Sequence, residues 1–291
     1  MLLGFLFLSA TGQALAQSIE SRSSLDWQTN SFVMTLEARI DERASRSAGA
    51  LFRAQTGLDQ AFPRELFDGL LPVPVDSRQV IEDAVRADPD LASRIADLAT
   101  TAERDVPRPA PDLRGISRSY RVPMFPHLTS LFVQHSVPFQ MERVVRWVPT
   151  REFTGIVIYA AEPLPVHGTG GTTTNPDTAL IVPALLPQIY DTNLRPVLET
   201  DMVRPSAIDR WGVVHYTNRT NPDAWRERAG TQPLRIMARR LFGIIPTDIV
   251  ISAEDADRIL ASEHNRNLLR EGRIVVITPT QQLEIRNESI N

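Results

Sequence analysis

One stretch near the C-terminus constrains the fold more than any other. "TDIVIS" (247–252) is followed by the apolar-periodic run "AEDADRILASEHNRNLLRE" (253–271), then Gly272, then "RIVVIT" (273–278). Apolar β-rich segments on either side of a helix-length segment read as strand, helix, strand. Ser252 and Asp255 have the spacing of a capping box in which Asp replaces the usual Glu, and Gly272 suits a helix terminator. A crossover of this length allows the flanking strands to run parallel. The chain therefore contains a mixed α/β unit and is not a simple antiparallel sandwich.

Upstream, the first part of the chain reads as strand, helix, helix, strand. "LDWQTNSFVMTLEARI" alternates with period two, which predicts a strand or hairpin burying Leu25, Trp27, Phe32, Met34 and Leu36. The period then changes: Ala44, Ala48, Leu51, Phe52 and Gln55 recur at helical spacing as a small-residue stripe, with Arg43, Arg46 and Arg53 around it. A second helical stretch is expected from Asp76 or Ser77, with Val80, Ile81, Ala84 and Val85 on one face. A third follows Asp88 as N-cap and Pro89 in the first turn, burying Leu91, Ile95 and Leu98. "DVPRPAPDLRG" is a proline-rich surface connection, and "ISRSYRVPMF" returns to a strand.

"VRWVPTREF" marks a joint, with Pro149 between two apolar stretches. Beyond it strands are expected at Gly155 to Ala160, Ala179 to Tyr190, Trp211 to Thr217, Leu234 to Ala238, Asp248 to Ser252 and Ile274 to Ile277. Pro183 and Pro187 restrict the second of these to an edge or break it, because proline donates nothing to a ladder. The expected fold is α+β: a first domain over 17–149 with a sheet and packed helices, and a strand-rich domain over 150–291 that ends in the strand-helix-strand unit.

Composition removes several chemistries. All 31 basic side chains are arginine, so a Schiff-base or P-loop lysine is excluded. There is no cysteine, which excludes disulfides, thiol catalysis, Cys-based metal sites and a lipidated N-terminal cysteine. The net charge of -4 is spread without like-charge blocks, so nucleic acid and anionic membranes are not expected partners. "MLLGFLFLSATGQALAQS" has an apolar core from Leu2 to Ala10 and small residues at Ala14 and Ala16, although it lacks a basic n-region. It reads as a signal peptide over 1–16, giving a periplasmic mature chain that begins near Gln17.

No catalytic, cofactor or metal residues are assigned. The insert "HGTGGTTTNPDT" (167–178) lacks both the Gly-Lys-Ser/Thr ending of a P-loop and the GxGxxG spacing, so a surface loop is expected. The five histidines, at 127, 135, 167, 215 and 264, form no HxH or HExxH pair; His215 is expected to pack or hydrogen-bond and His264 to be solvated. There is no GxSxG elbow. Glu254, Asp255 and Asp257 fall in a first helical turn, where the helix dipole stabilises carboxylates without catalysis. The tryptophans at 27, 147, 211 and 225 and the belt Phe125, Leu131, Phe132, Val137 and Phe139 are expected to be core, with any exposed member serving a protein partner.

Thr154-Gly155-Ile156-Val157-Ile158, the block Pro183 to Asp191, and Thr247 to Ser252 with Asp255-Ala256 carry a resemblance. They are similar to segments of exported bacterial proteins related to a family of outer-membrane lipoproteins and to flagellar assembly protein T, and "LDWQTNSF" fits that family's N-terminal part. This chain departs at Tyr159 and Ala161, where the family has an acidic residue and an arginine, and at the Gly/Thr insert. The resemblance implies a non-enzymatic periplasmic assembly or scaffold protein of the cell envelope, associated with the flagellar motor or its rings. It implies envelope or flagellar proteins, or further copies of the chain, as partners. Tyr190, Arg195 and Trp211 are the candidate partner-binding residues. The alternative is a cell-wall glycan-binding or hydrolytic protein, for which Glu162, His167 and Asp191 would have to converge.

Overall fold

The computed structural model describes residues 18–41, 47–167 and 177–280, and the backbone of 284–290. The expected signal peptide, Ala44 and most of the Gly/Thr insert lie outside the described residues. The chain has the expected α+β architecture in two domains, 18–131 and 155–280.

The first domain begins with the hairpin of β1 (Ser18–Asp26) and β2 (Ser31–Arg39), in which Leu25, Trp27, Phe32, Met34 and Leu36 are all buried as the alternation predicts. A long helix, α1 (Ala50–Leu70), packs on the sheet and is followed by α2 (Ile81–Ala87) and α3 (Asp90–Ala96). The short edge strands β3 (Glu103–Arg104) and β4 (Arg108–Pro109) then pair with β5 (Gly115–Pro123), which pairs antiparallel with β2. Leu91, Ile95 and Leu98 are buried as predicted, and the Asp88 carboxylate accepts from the Asp90 amide at 3.2 Å.

The buried stripe of α1 differs from the one expected. It is Ala50, Ala54, Leu58, Phe62, Leu66 and Leu70, at strict four-residue spacing, while Phe52 is 71% exposed. The small residues at 50 and 54 let the helix approach the sheet closely, and Phe52 lies on the other side. Phe62 stacks on Tyr120 of β5 with centroids 3.9 Å apart, and Asp59 accepts from Tyr120 Oη at 2.9 Å and from Arg118 at 2.9 and 3.0 Å. The next helix starts at Ile81 and not at 76, because Asp76 accepts from the amides of Arg78 and Gln79 in a local turn.

The second domain contains two sheets. One is wholly parallel, in the order β11-β15-β6-β12, from β6 (Ile156–Tyr159), β11 (His215–Thr217), β12 (Leu234–Met237) and β15 (Ile274–Ile277). Its central strands are apolar throughout, and Ile156, Val157, Ile158 and Ile274 to Ile277 are all buried, as a sheet covered on both faces requires. The other sheet is mixed, in the order β10-β9-β14-β13-β7-β8. It comprises β7 (Leu164–His167), β8 (Thr178–Ala179), β9 (Ile189–Asp191), β10 (Pro196–Leu198), β13 (Arg240–Phe242) and β14 (Asp248–Ile251).

Three expectations are corrected here. The single helix after β14 is two, α6 (Ala253–Leu260) and α7 (Glu263–Arg270), because Ser262 caps a new start through the Asn265 amide. The strands flanking them, β14 and β15, lie in different sheets, so the crossover joins the two sheets instead of closing one. Trp211 ends a short helix, α4 (Pro205–Trp211), and does not open a strand, since Pro205 sets the first turn and Gly212 at φ 77 stops it. The prolines do break the run 179–190, as predicted, leaving strand only at its two ends.

The interrupted segment docks on the first domain: the amides of Leu185 and Leu186 donate to the carbonyls of Pro74 and Val75 at 3.1 and 2.8 Å. Across the same boundary Trp27 meets Tyr216 edge-on at 5.6 Å, and the apolar core is continuous through both domains. The final strand, β16 (284–290), returns to pair antiparallel with β1, so this part of the 150–291 region belongs to the first sheet. No helix among the described residues is long and apolar enough to cross a membrane.

Candidate functional site

The turn "YDTNLRPV" is built by Asp191. Its Oδ1 accepts from the amides of Asn193 (2.8 Å) and Arg195 (3.0 Å), within a turn in which Leu194 holds a φ of 60. Arg195 Nε then donates to Asp191 Oδ2 at 3.0 Å and Nη2 to Asp257 Oδ1 at 2.7 Å, with Glu142 Oε1 3.7 Å from Nη1. Arg146 donates to the other oxygen of Asp257. The result is a clasp in which two carboxylates of the second domain and the interdomain linker all meet Arg195.

The clasp borders a cavity of about 460 Å3 between linker residues 142–146 and the Asp191 turn. Burial acts to raise the Asp257 pKa, but hydrogen bonds from Arg195 and Arg146 outweigh it and hold the carboxyl below its usual range. The same Asp257 bond raises Arg195. Asp257 was expected to cap a helix. It is instead nearly buried and bonds to residues 62 and 111 positions away, while Asp255 alone makes the reciprocal cap with Ser252.

Tyr190 alternates to the other side of β9. Its hydroxyl donates to Gln188 Oε1 and its ring tilts against Phe242 at 5.3 Å. Burial first, then Asp248 and Glu199, push its pKa up to about 12. Trp211 stands elsewhere again: its indole Nε1 donates to the Glu271 carbonyl at 3.0 Å, and the guanidiniums of Arg210 and Arg228 stack on its ring at 4.3 and 4.7 Å. Tyr190, Arg195 and Trp211 thus occupy three separate environments and share no direct partner.

The residues of the hydrolytic alternative are not gathered either. Glu162 is exposed in the bend before β7, His167 is exposed at that strand's far end, and Asp191 is committed to its own turn and to Arg195. His215 is driven down to about 4 by burial and by Arg228, which leaves it neutral at physiological pH and in a packing role, as expected. His264 is not simply solvated: its Nε2 meets the Phe153 carbonyl at 2.7 Å. Among the described residues there is no group of His, Asp and Glu arranged to hold a metal.

The tryptophans divide. Trp27 and Trp225 are core, Trp211 is half-buried, and Trp147 is 86% exposed. Trp147 lies in a linker without regular structure that also exposes Val145 (92%), Val137 (76%) and Phe139 (64%). Part of the expected apolar belt is therefore on the surface. Asp257, Arg146 and Arg228 carried no local signal in the sequence, because their partners are far along the chain.

Fold and sites together define a two-domain α+β protein whose domains share one core, with a linker that is held to the second domain by arginine pairs and exposes apolar side chains. Residues 18–131 match the family model of the N-terminal domain of Treponema pallidum Tp0624, and residues 155–280 match that of the second domain of the same protein. The chain is thus similar to Tp0624 in both domains and in their order. The two matches end and begin on either side of the linker. No curated protein matches the chain.

Proposed function

We propose that this is a non-enzymatic assembly or scaffold protein of the bacterial cell envelope, working in the periplasm through a protein partner docked on the linker. The observation that carries the reading is the exposure of Val137, Phe139, Val145 and Trp147 on one short segment between two well-packed domains. Large apolar side chains with arginines among them, here Arg143 and Arg146, have the composition of an interface. The clasp supports this role by fixing the segment against the second domain. The resemblance to envelope proteins related to flagellar assembly protein T makes components of the flagellar motor or its rings the first partners to test.

Arg195 fits here as the residue that positions the linker, since its donors already face Asp191, Asp257 and Glu142. A photo-crosslinking amino acid at position 147 in the full chain, used in living cells, tests the reading. A discrete adduct with an envelope or motor component is expected, lost in Val145→Ser and absent with the probe at exposed Val106. A protein that stays monomeric and uncrosslinked at 147 removes the proposal.

A further inference from the structure

Beside Trp211 lies a second cavity, of about 310 Å3, lined by Arg204, Ser206, Arg210, Trp211, Glu271 and Arg273. It uses none of the linker residues invoked above. Its charges do not balance. Arg204 pairs with the one carboxylate, Glu271, at 3.2 Å. Among the described residues Arg210 has only Glu227, 4.0 Å away with both side chains largely in solvent, a pairing that neutralises little. Arg273 donates Nε to the Thr154 carbonyl at 3.1 Å and, among the described residues, has no carboxylate at salt-bridge distance.

A fourth guanidinium, that of Arg228, stacks on the Trp211 ring at 4.7 Å. Arg228 is only 6% exposed, and it donates to the backbone carbonyls of Trp211, Gly212 and Gly272 with, among the described residues, no carboxylate partner. Neutral carbonyls solvate this cation without cancelling it. Burial first, then the charges of Arg273 and Arg210, lower its pKa to about 9. The carbonyls of Gly272, at φ 59, and of Gly212 hold the Arg228 guanidinium in place. A fold that concentrates cations in one half-enclosed cavity leaves it complementary to an anion.

We propose that this cavity binds a dianionic oxyanion, a phosphate or phosphomonoester group. Arg210 and Arg273 supply two guanidiniums without a close carboxylate, and guanidinium N–H pairs match phosphate oxygens in geometry. The Ser206 hydroxyl adds a neutral donor at the rim. A single carboxylate would neutralise only one of the two charges, which favours the dianion. The phosphate can be free in solution or carried on a lipid headgroup, and the chemistry at the cavity is the same.

The test uses the full chain. Isothermal titration with inorganic phosphate at low ionic strength is expected to show saturable binding that chloride at equal ionic strength does not reproduce. Arg210→Gln is expected to weaken it several-fold and R210Q/R273Q at least tenfold. Thermal unfolding checks that each variant is folded; because Arg273 bonds to backbone, Arg210→Gln alone decides if the double variant is not. Flotation with phosphatidic acid vesicles, lost in Arg210→Gln, assigns the phosphate to a lipid, while phosphate binding without flotation assigns it to a soluble ligand. Absence of saturable phosphate binding, or folded variants that bind as the parent does, overturns the proposal.

Discussion

Asp248 shows how much one side chain can be set by its surroundings. It opens β14, is fully buried, and accepts at Oδ1 from the Gln188 amide and the Thr247 hydroxyl at 3.0 and 3.1 Å. Burial raises its pKa to about 6, with hydrogen bonds only partly offsetting it. A folded pKa above the unfolded value of about 3.9 means that the native state holds the proton more tightly. The stabilisation is therefore complete below about pH 4 and is lost as pH rises through about 6, an effect of about 2–3 kcal/mol. Asp248→Asn keeps the Oδ1 acceptor and removes the titration. Urea midpoints measured across this range are expected to fall for the parent relative to the variant; parallel curves would contradict the assignment. The sequence shows Asp248 only as the polar start of an apolar strand. Its burial depends on the segment around Gln188, 60 positions away, just as the role of Asp257 depends on Arg195. Carboxylates whose partners are local, such as Asp255 with Ser252, are legible from spacing; those whose partners arrive by folding are not.

Among the elements, the hairpin, the helix after Asp88 and the strands at 156, 234, 248 and 274 are legible because their burial patterns repeat over several residues. The face of α1 is not. Two stripes compete there, and only packing on the sheet selects the one through Ala50 and Ala54 over the one through Phe52. Gly155, at the entry to β6, shows what such packing demands. A Cβ at this position would lie 2.5 Å from the Cα and carbonyl oxygen of Ala229, the last residue of a short helix, α5 (Arg226–Ala229), that covers the parallel sheet. Gly155→Ala is expected to cost about 1–3 kcal/mol through overpacking, read as a lower denaturant midpoint at unchanged slope. The clash is with backbone, so adding Ala229→Gly is expected to restore nothing. Rescue by that second change would show that the side chain of Ala229 is the obstacle.

For the whole molecule two α+β domains are expected from the sequence and found, while the coupling between them is not legible, since nothing in the sequence pairs Trp27 with Tyr216 or brings residues 284–290 back to β1. The coupling makes a prediction of its own. Interfaces between domains of one chain usually resemble transient contacts, and such domains unfold separately. Here the apolar core is continuous, Trp27 is buried against Tyr216, and the Tyr216 hydroxyl accepts from the Ala184 amide at 3.2 Å within the segment that docks on Pro74 and Val75. Removing the Trp27 side chain should therefore open a cavity that both domains line, at a cost of about 3–5 kcal/mol. If the domains unfold as one unit, that loss is shared by every amide whose exchange requires global opening. Native-state hydrogen exchange on Trp27→Ala is expected to show equal losses of protection for amides of β2 in the first domain and of β15 in the second. Protection in β15 that stays at the parent's level while β2 loses its own would show that the domains open independently and that the shared core does not couple them.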